Sequence, residues 1–295
     1  MADGSSLAAT RLTVAAIALS LVLVVPLAIV HFVYASELAL AQAADSLMDA
    51  VLASAFLYSL RVSALPADEN HPRGHQRAEP IAALLGAMIA GVLAFEVFRE
   101  AVLALVGGAA PRMEWALALA FLLKAVAKAT LTLVARGVHE KTASPAVRAL
   151  EVDARNDVLV GMVALVGFFG ARYGSPGWDA WLALPIACWI GASGFGLARE
   201  NIRFLMGEAP PAERQRELSA IAAAVPGVDS IHDLYARYDG TQIDVSLHVV
   251  VDENLPLRDA HDIAEAVEAR LMQEPDVLVA MVHVDVERDP TRQSG

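Results

Sequence analysis

Six stretches of the chain, at roughly 12–34, 37–60, 80–107, 113–136, 146–171 and 178–204, are mostly apolar over about 20 residues or more. That is the length a helix needs to cross the hydrocarbon core of a bilayer, and inside lipid a helix satisfies every backbone polar group internally. The composition agrees: 56% of the 295 residues are hydrophobic, 19% are charged, and the mean hydropathy is +0.49. A soluble domain of this size carries more charge. Residues 12–34 run too long and too continuously for a cleaved signal peptide and are expected to form the first true span. The loop after span two carries Arg61, Arg73 and Arg77, and the loop after span four carries Arg136, Lys141 and Arg148, whereas the opposite loops hold Arg112 and Arg172. By the positive-inside rule the basic loops and both termini are cytoplasmic.

Beyond residue 206 the character changes. Residues 207–295 hold 18 acidic and 7 basic side chains, so almost all of the net charge of −12 belongs to this tail. An acidic balance argues against nucleic acid or anionic lipid as partner and suits attraction of cations. "PPAERQRELSAIAAAV" reads as a helix opened by prolines, and "SIHDLYARY" and "TQIDVSLHVVV" as strands around the Asp239-Gly240 turn signal. "LRDAHDIAEAVEARLM" is an amphipathic helix and "VLVAMVHVDVE" a last strand. The expected fold class is therefore membrane α-helical: a six-helix transmembrane domain over 1–206, then a cytoplasmic α+β domain of order α-β-β-α-β over 207–295. The single Cys188 provides neither a disulfide framework nor a thiolate metal site.

Acids within spans are costly and mark an ion path, a proton relay or an internal pair. Asp45 and Asp49 in "ADSLMDA" lie four residues apart, so both carboxylates share one helix face. Asp153 and Asp157 in "LEVDARNDVLVG" repeat the spacing at matching depth in span five. Four carboxylates brought together in low dielectric need a cation, or protons, to coexist. Such a cluster alternates between metal-bound and protonated forms; the other reading is that the acids are neutral or paired with Lys124 and Lys128 of span four. For Lys128 the cytoplasmic end of the span is close enough to snorkel toward. Lys124 is expected to pair with Glu96, which lies at similar depth, or else to tune protonation of the acids.

The eight histidines are unevenly placed. "PADENHPRGHQRAE" offers Asp68, His71 and His75, a set able to hold one ion or simply to be solvated. The tail holds His232, His248, His261 and His283, with Asp285 two residues after the last, a pattern that suits metal binding by imidazole and carboxylate. In a strand, 283 and 285 share a face. His232 and His248 flank the turn and share a face only if the loop is odd or the strand bulges; a strict two-residue loop sends them to opposite faces. His31 and His139 stand alone and read as packing or surface residues.

"ADSLMDA", "PADENHPRGHQRAE", "VPGVDSIHDL", "LHVVVD", "AHDIAEAVE" and "VHVDVE" together resemble the cation diffusion facilitator (cation efflux) family over nearly the whole chain. The resemblance implies a multi-pass protein of the bacterial inner membrane whose tail is metallochaperone-like. It implies a homodimer that exports divalent cations from the cytoplasm in exchange for protons by alternating access. It carries Asp45, Asp49, Asp153 and Asp157 onto the transport site and Asp68, His71 and His75 onto a loop site. His232, His248, His261, His283 and Asp285 map onto a two-metal tail site that tightens the dimer.

Two departures stand out. Zinc-type members resemble His-x-x-x-Asp in span five, where this chain has Asp153. An all-carboxylate site is harder and favours Mn²⁺ or Fe²⁺, with Zn²⁺ and Cd²⁺ still possible. Some relatives also lock the dimer with a base after the loop and an acid ending span six. Arg77 fits the base, but Gly207 stands about where the acid is expected, with Glu208 beside it. A membrane-anchored metal sensor or scaffold is the alternative function. A di-metal membrane enzyme would need closely spaced histidines at the span ends, and only His71 and His75 come near that.

Overall fold

The computed structural model describes residues 2–34, 37–107, 115–173 and 178–286, and Arg112, used above for orientation, lies outside the described residues. The chain forms two compact units, the first ending at Ile202 and the second beginning at Arg203. The first is all helix: α1 (Ala2–Tyr34), α2 (Glu37–Ser63), α3 (Ala78–Gly107), α4 (Trp115–Thr142), α5 (Pro145–Tyr173) and α6 (Trp178–Met206).

Alanine dominates the interior of this unit. Ala9, Ala16, Ala53, Ala83, Ala87, Ala135, Ala146 and Ala154 are all buried, around the larger Phe56, Leu131, Val147 and Leu150. Small residues let helix backbones approach where no hydrophobic drive pulls them together in lipid. Gly194 shows how close: a methyl group there would stand 3.2 Å from the Ala87 carbonyl oxygen of α3. Val22, Phe32, Tyr58, Val106, Leu133 and Phe195 point outward, more than half exposed, as hydrocarbon-facing side chains do.

Five of these helices are long and apolar enough to cross a membrane, and α5 is the exception. The six-helix membrane fold read from the sequence stands, with α5 carrying its charges inside a helix of spanning length. Within α5, Arg148, Glu151, Asp153, Arg155 and Asp157 occupy a 29-residue helix whose length still suffices to span. The structure engages these charges internally: Arg148 holds the buried Glu151 at 2.7 Å, and Arg155 donates to Ser193 of α6 at 2.9 Å.

The second unit runs α7 (Ala212–Ala223), β1 (Ser230–Asp239), β2 (Gln242–Val251), α8 (Leu257–Leu271) and β3 (Val277–Val286). The strands form one sheet in the order β1-β2-β3, with β1 antiparallel and β3 parallel to β2. Leu218 and Ala222 of α7, Ala260, Val267 and Leu271 of α8, and Val245, Leu247, Val249 and Val251 of β2 make its core. Both helices therefore cover the sheet face carrying the odd-numbered β2 residues. The even-numbered face, with His248, stays free of them.

Helix α6 ends in a left-handed cap. Gly207 has φ 68°, its N–H bonds the Phe204 carbonyl, and the Glu208 N–H reaches back to the Arg203 carbonyl. This six-to-one and five-to-two pattern prefers glycine at that position because a Cβ is penalised there. Glycine where an acid was expected thus has a backbone reason. Glu208 is engaged by Arg203 at 2.5 Å.

Candidate cation sites

Helices α2, α4 and α5 each present a pair of ionisable residues at i and i+4, which a helix stacks on one face. The three pairs meet. One carboxylate oxygen from each of Asp45, Asp49 and Asp157 lies within 4.8 Å of the others. Asp49 and Asp157 are each 8% exposed, while the Asp45 side chain is more open at 38%. Asp153 stands at the margin of this group, outside the tight set of three, with its Oδ2 4.0 Å from the Lys128 ammonium.

The lysines are inside the cluster. Lys128 Nζ donates to Asp49 Oδ2 at 2.7 Å and lies 2.5 Å from Asp157 Oδ2. Lys124 Nζ donates to Asp45 Oδ2 at 2.6 Å, contacts Gln42 Oε1 at 3.4 Å and stands 4.0 Å from Asp49 Oδ2. Two expectations are corrected. The partner of Lys124 is Asp45, not Glu96, whose carboxylate sits half exposed against Arg99 at 2.8 Å. Nor does Lys128 snorkel: it is 1% exposed and holds α2 and α5 together through its ammonium. Ser46 and Asn156, next in sequence to Asp45 and Asp157, are also fully buried polar residues. Their side-chain atoms have no protein hydrogen-bond partner, so water or a hydrated cation can serve them.

The second group lies in the α2–α3 loop. Asp68 Oδ1 accepts the backbone N–H groups of Asn70 (2.9 Å) and His71 (2.6 Å), an Asx turn that fixes its carboxylate. His71 Nδ1 lies 3.2 Å from that oxygen, and His75 Nε2 lies 3.4 Å from Oδ2. The two rings stand 4.4 Å apart, and Gly74 (φ 90°) turns the chain between them. The His71 N–H, reinforced by its ring, holds the Asp68 carboxyl below its ordinary value. The structure brings Asp68, His71 and His75 within reach of one ion.

The third group lies on the helix-free face of the tail sheet. The turn is a two-residue loop, Asp239 pairing with Gln242, yet His232 pairs with His248 because the register shifts between His232 and Tyr235. Asp233, at φ 49°, is the extra residue of this bulge. His248 in turn pairs with His283 across the parallel ladder. Three imidazoles therefore line up across three strands, with ring centroids 5.1 and 4.6 Å apart. Asp285 reaches into the row: its Oδ2 lies 2.9 Å from His248 Nδ1 and 3.3 Å from His232 Nε2, and its Oδ1 lies 3.7 Å from His283 Nε2. The hydrogen bond from His248 keeps the Asp285 carboxyl below its ordinary value. His232, His248 and Asp285 converge within reach of one ion, and His283 flanks them.

His261 does not join them in a single chain. On α8 the buried positions are Ala260, Ala264, Val267 and Leu271, so position 261 faces outward, 65% exposed, with Glu265 as neighbour at 3.3 Å. Sequence proximity among the tail histidines did not reveal which face each takes. Asp233, which bonds His232 Nδ1 at 3.0 Å, was missed; its signal was the parity conflict between a two-residue turn and two facing histidines.

The family model described as the cation efflux transmembrane domain matches residues 13–206, and that of the cation efflux protein cytoplasmic domain matches residues 210–287. The chain belongs to the cation efflux (cation diffusion facilitator) family. It is 33% identical to the cation-efflux pump FieF of Cronobacter sakazakii over 83% of this chain and 82% of that one. It is 30% identical to the FieF of Escherichia coli O127:H6 over the same shares. An uncharacterized transporter of Methanocaldococcus jannaschii is also 30% identical, over 88% of this chain and 91% of its own. The resemblance read in the sequence is thus borne out. As a cation efflux family member the chain is a multi-pass membrane protein of transporters, with a helical membrane domain ahead of its helix-and-sheet tail.

Proposed function

We propose that this protein exports divalent transition-metal cations from the cytoplasm in exchange for protons. Asp45, Asp49, Asp153 and Asp157 serve as the transport site, and the protein works as a homodimer in a bacterial inner membrane with both termini cytoplasmic. The observation that carries this reading is the convergence of three carboxylates from two membrane helices within 4.8 Å of one another, two of them buried. Oxygen-only ligands lack the imidazole nitrogen that favours Zn²⁺, so the site suits Mn²⁺ or Fe²⁺ better than a mixed nitrogen–oxygen site would. The mechanism requires two conformations that bind metal and protons differently, and no covalent chemistry. Asp68, His71 and His75 would hold a cation at the loop. His232, His248, His283 and Asp285 would do so in the tail, with His261 contributing only if a second chain brings it near.

Proteoliposomes holding the full chain and an imposed proton gradient should accumulate Mn²⁺ with counterflow of protons. Metal uptake indifferent to the gradient removes the antiport reading. The tail cluster favours a second reading, a membrane-anchored metal sensor whose tail binds metal while the spans do not transport; it requires tail binding with no flux in the same vesicles.

The tail assignment has its own test. A β-branched residue is strained at φ 49°, by about 1–3 kcal/mol, so Asp233→Ile should straighten the bulge and turn His232 toward the helices. Asn tolerates that backbone, so Asp233→Asn should keep the row. Zn²⁺ titration of the full-length protein should show tail affinity falling about 10–100-fold in Asp233→Ile, the range for losing the support of a metal ligand. Equal affinity in both variants would remove His232 from the site.

A further inference from the structure

Four aspartates and two lysines meet at the membrane cluster, and the ammonium groups sit on the same oxygens a cation would use. Lys128 Nζ lies 2.7 Å from Asp49 Oδ2 and 2.5 Å from Asp157 Oδ2. A divalent transition metal binds carboxylate oxygen at about 2.0–2.2 Å. A cation held between these two oxygens would stand beside the ammonium, and the two positive charges repel strongly in a low-dielectric interior.

We propose that Lys128, seconded by Lys124, is a tethered counter-ion of the transport site: it competes with the incoming cation for Asp49 and Asp157, gives way when the cation binds, and returns to help eject it. The proposal rests on the transport reading above and assigns a positioning role that the aspartates alone do not supply.

Charge is the first reason. Four carboxylates and two ammonium groups leave a formal charge of −2, which one divalent cation balances. Four carboxylates alone would leave a loaded site at −2 in a low-dielectric interior, holding its cation too tightly to release it. Side-chain chemistry is the second. Lysine carries a compact charge on a flexible four-carbon stem, so its ammonium can withdraw by a few ångströms without moving α4, whereas arginine presents a rigid planar fork. Position is the third. Lys128 comes from α4, while the acids come from α2 and α5, so the ammonium bridges helices whose relative movement would open and close the site. Lys124 touches Asp45, the more exposed acid, and stands farther from Asp49, which gives it the smaller share.

A purely structural ion pair predicts something different. Removing it would loosen the bundle and weaken cation binding. Removing a competitor instead tightens binding and slows release. The test is therefore a split between KM and turnover for Mn²⁺ uptake by the full-length protein in proteoliposomes, with Mn²⁺ affinity of the purified protein measured beside it. Lys128→Met should lower KM and turnover each by about tenfold, because a competing occupant no longer reduces the binding-competent fraction. Lys124→Met should shift both the same way by less, and Lys128→Arg should restore the higher KM. A folded Lys128→Met protein with unchanged or raised KM overturns the counter-ion role. Where Lys128→Met does not fold, Mn²⁺ affinity is read on Lys128→Gln, and unchanged or weaker binding there overturns it equally. Absence of cation uptake by the wild type overturns the transport reading itself, and this proposal with it.

Discussion

Mn²⁺ uptake should disappear in Asp49→Ala, falling more than about 100-fold, the upper end of the loss seen even for residues that merely support metal ligands. Asp49 is the most connected acid of the cluster: 8% exposed, bonded to Lys128 and within 4.0 Å of Lys124. Alanine removes an oxygen ligand and also leaves Lys128 with Asp157 and the more distant Asp153. Removing one partner of a buried pair costs about 3–5 kcal/mol of stability, so loss of transport must be separated from loss of fold. Asp49→Asn keeps the shape and one oxygen while removing the charge, and should also lose uptake while unfolding near the wild-type temperature. Radiotracer uptake in proteoliposomes, with thermal unfolding of the same preparations, reads both. Flux that persists through substitution of Asp45, Asp49, Asp153 and Asp157 in turn would show that the cation passes elsewhere.

Asp153→His should turn selectivity toward Zn²⁺. The variant places an imidazole nitrogen one helical turn before Asp157, and a mixed nitrogen–oxygen set suits zinc better than a set of carboxylates. Competition among Mn²⁺, Fe²⁺, Zn²⁺ and Cd²⁺ should show the Zn²⁺/Mn²⁺ preference rising by about tenfold or more, equivalent to roughly 1.4 kcal/mol of relative binding. Asp153 suits such an exchange because it stands at the margin of the cluster, 20% exposed and 4.0 Å from the Lys128 ammonium. Unchanged selectivity would remove this residue from the ligand set.

The helical segments and the order of the tail could be read from the chain because hydropathy and periodicity follow directly from the amino acids. The carboxylate pairs on α2 and α5 were legible for the same reason: i,i+4 spacing fixes a shared face. What escaped was rotation about helix axes. Depth along the membrane suggested Glu96 for Lys124, but depth does not say which way a side chain points, and Glu96 faces out beside Arg99. The spacing of Lys124 and Lys128 matches that of the acids, and pairing of the acids with both lysines, one of the two readings open from the sequence, is what the structure shows. In α5 a count of apolar residues concealed how many charges the helix carries, since internal partners compensate them. In the tail, His261 was grouped with its neighbours in sequence although the buried stripe of α8 turns it away.

The bulge at Asp233 carries a consequence for how such a tail changes by mutation. Strand pairing counts residues in twos, so most single-codon insertions or deletions in β1 would turn its outer half inside out. Loss of codon 233 is an exception. It removes the supernumerary residue, lets the hairpin run regularly from its two-residue turn, and leaves His232 opposite His248. The row of imidazoles can thus outlive a one-residue indel, and related chains that differ in length by one at this point need not differ in what their sheets present.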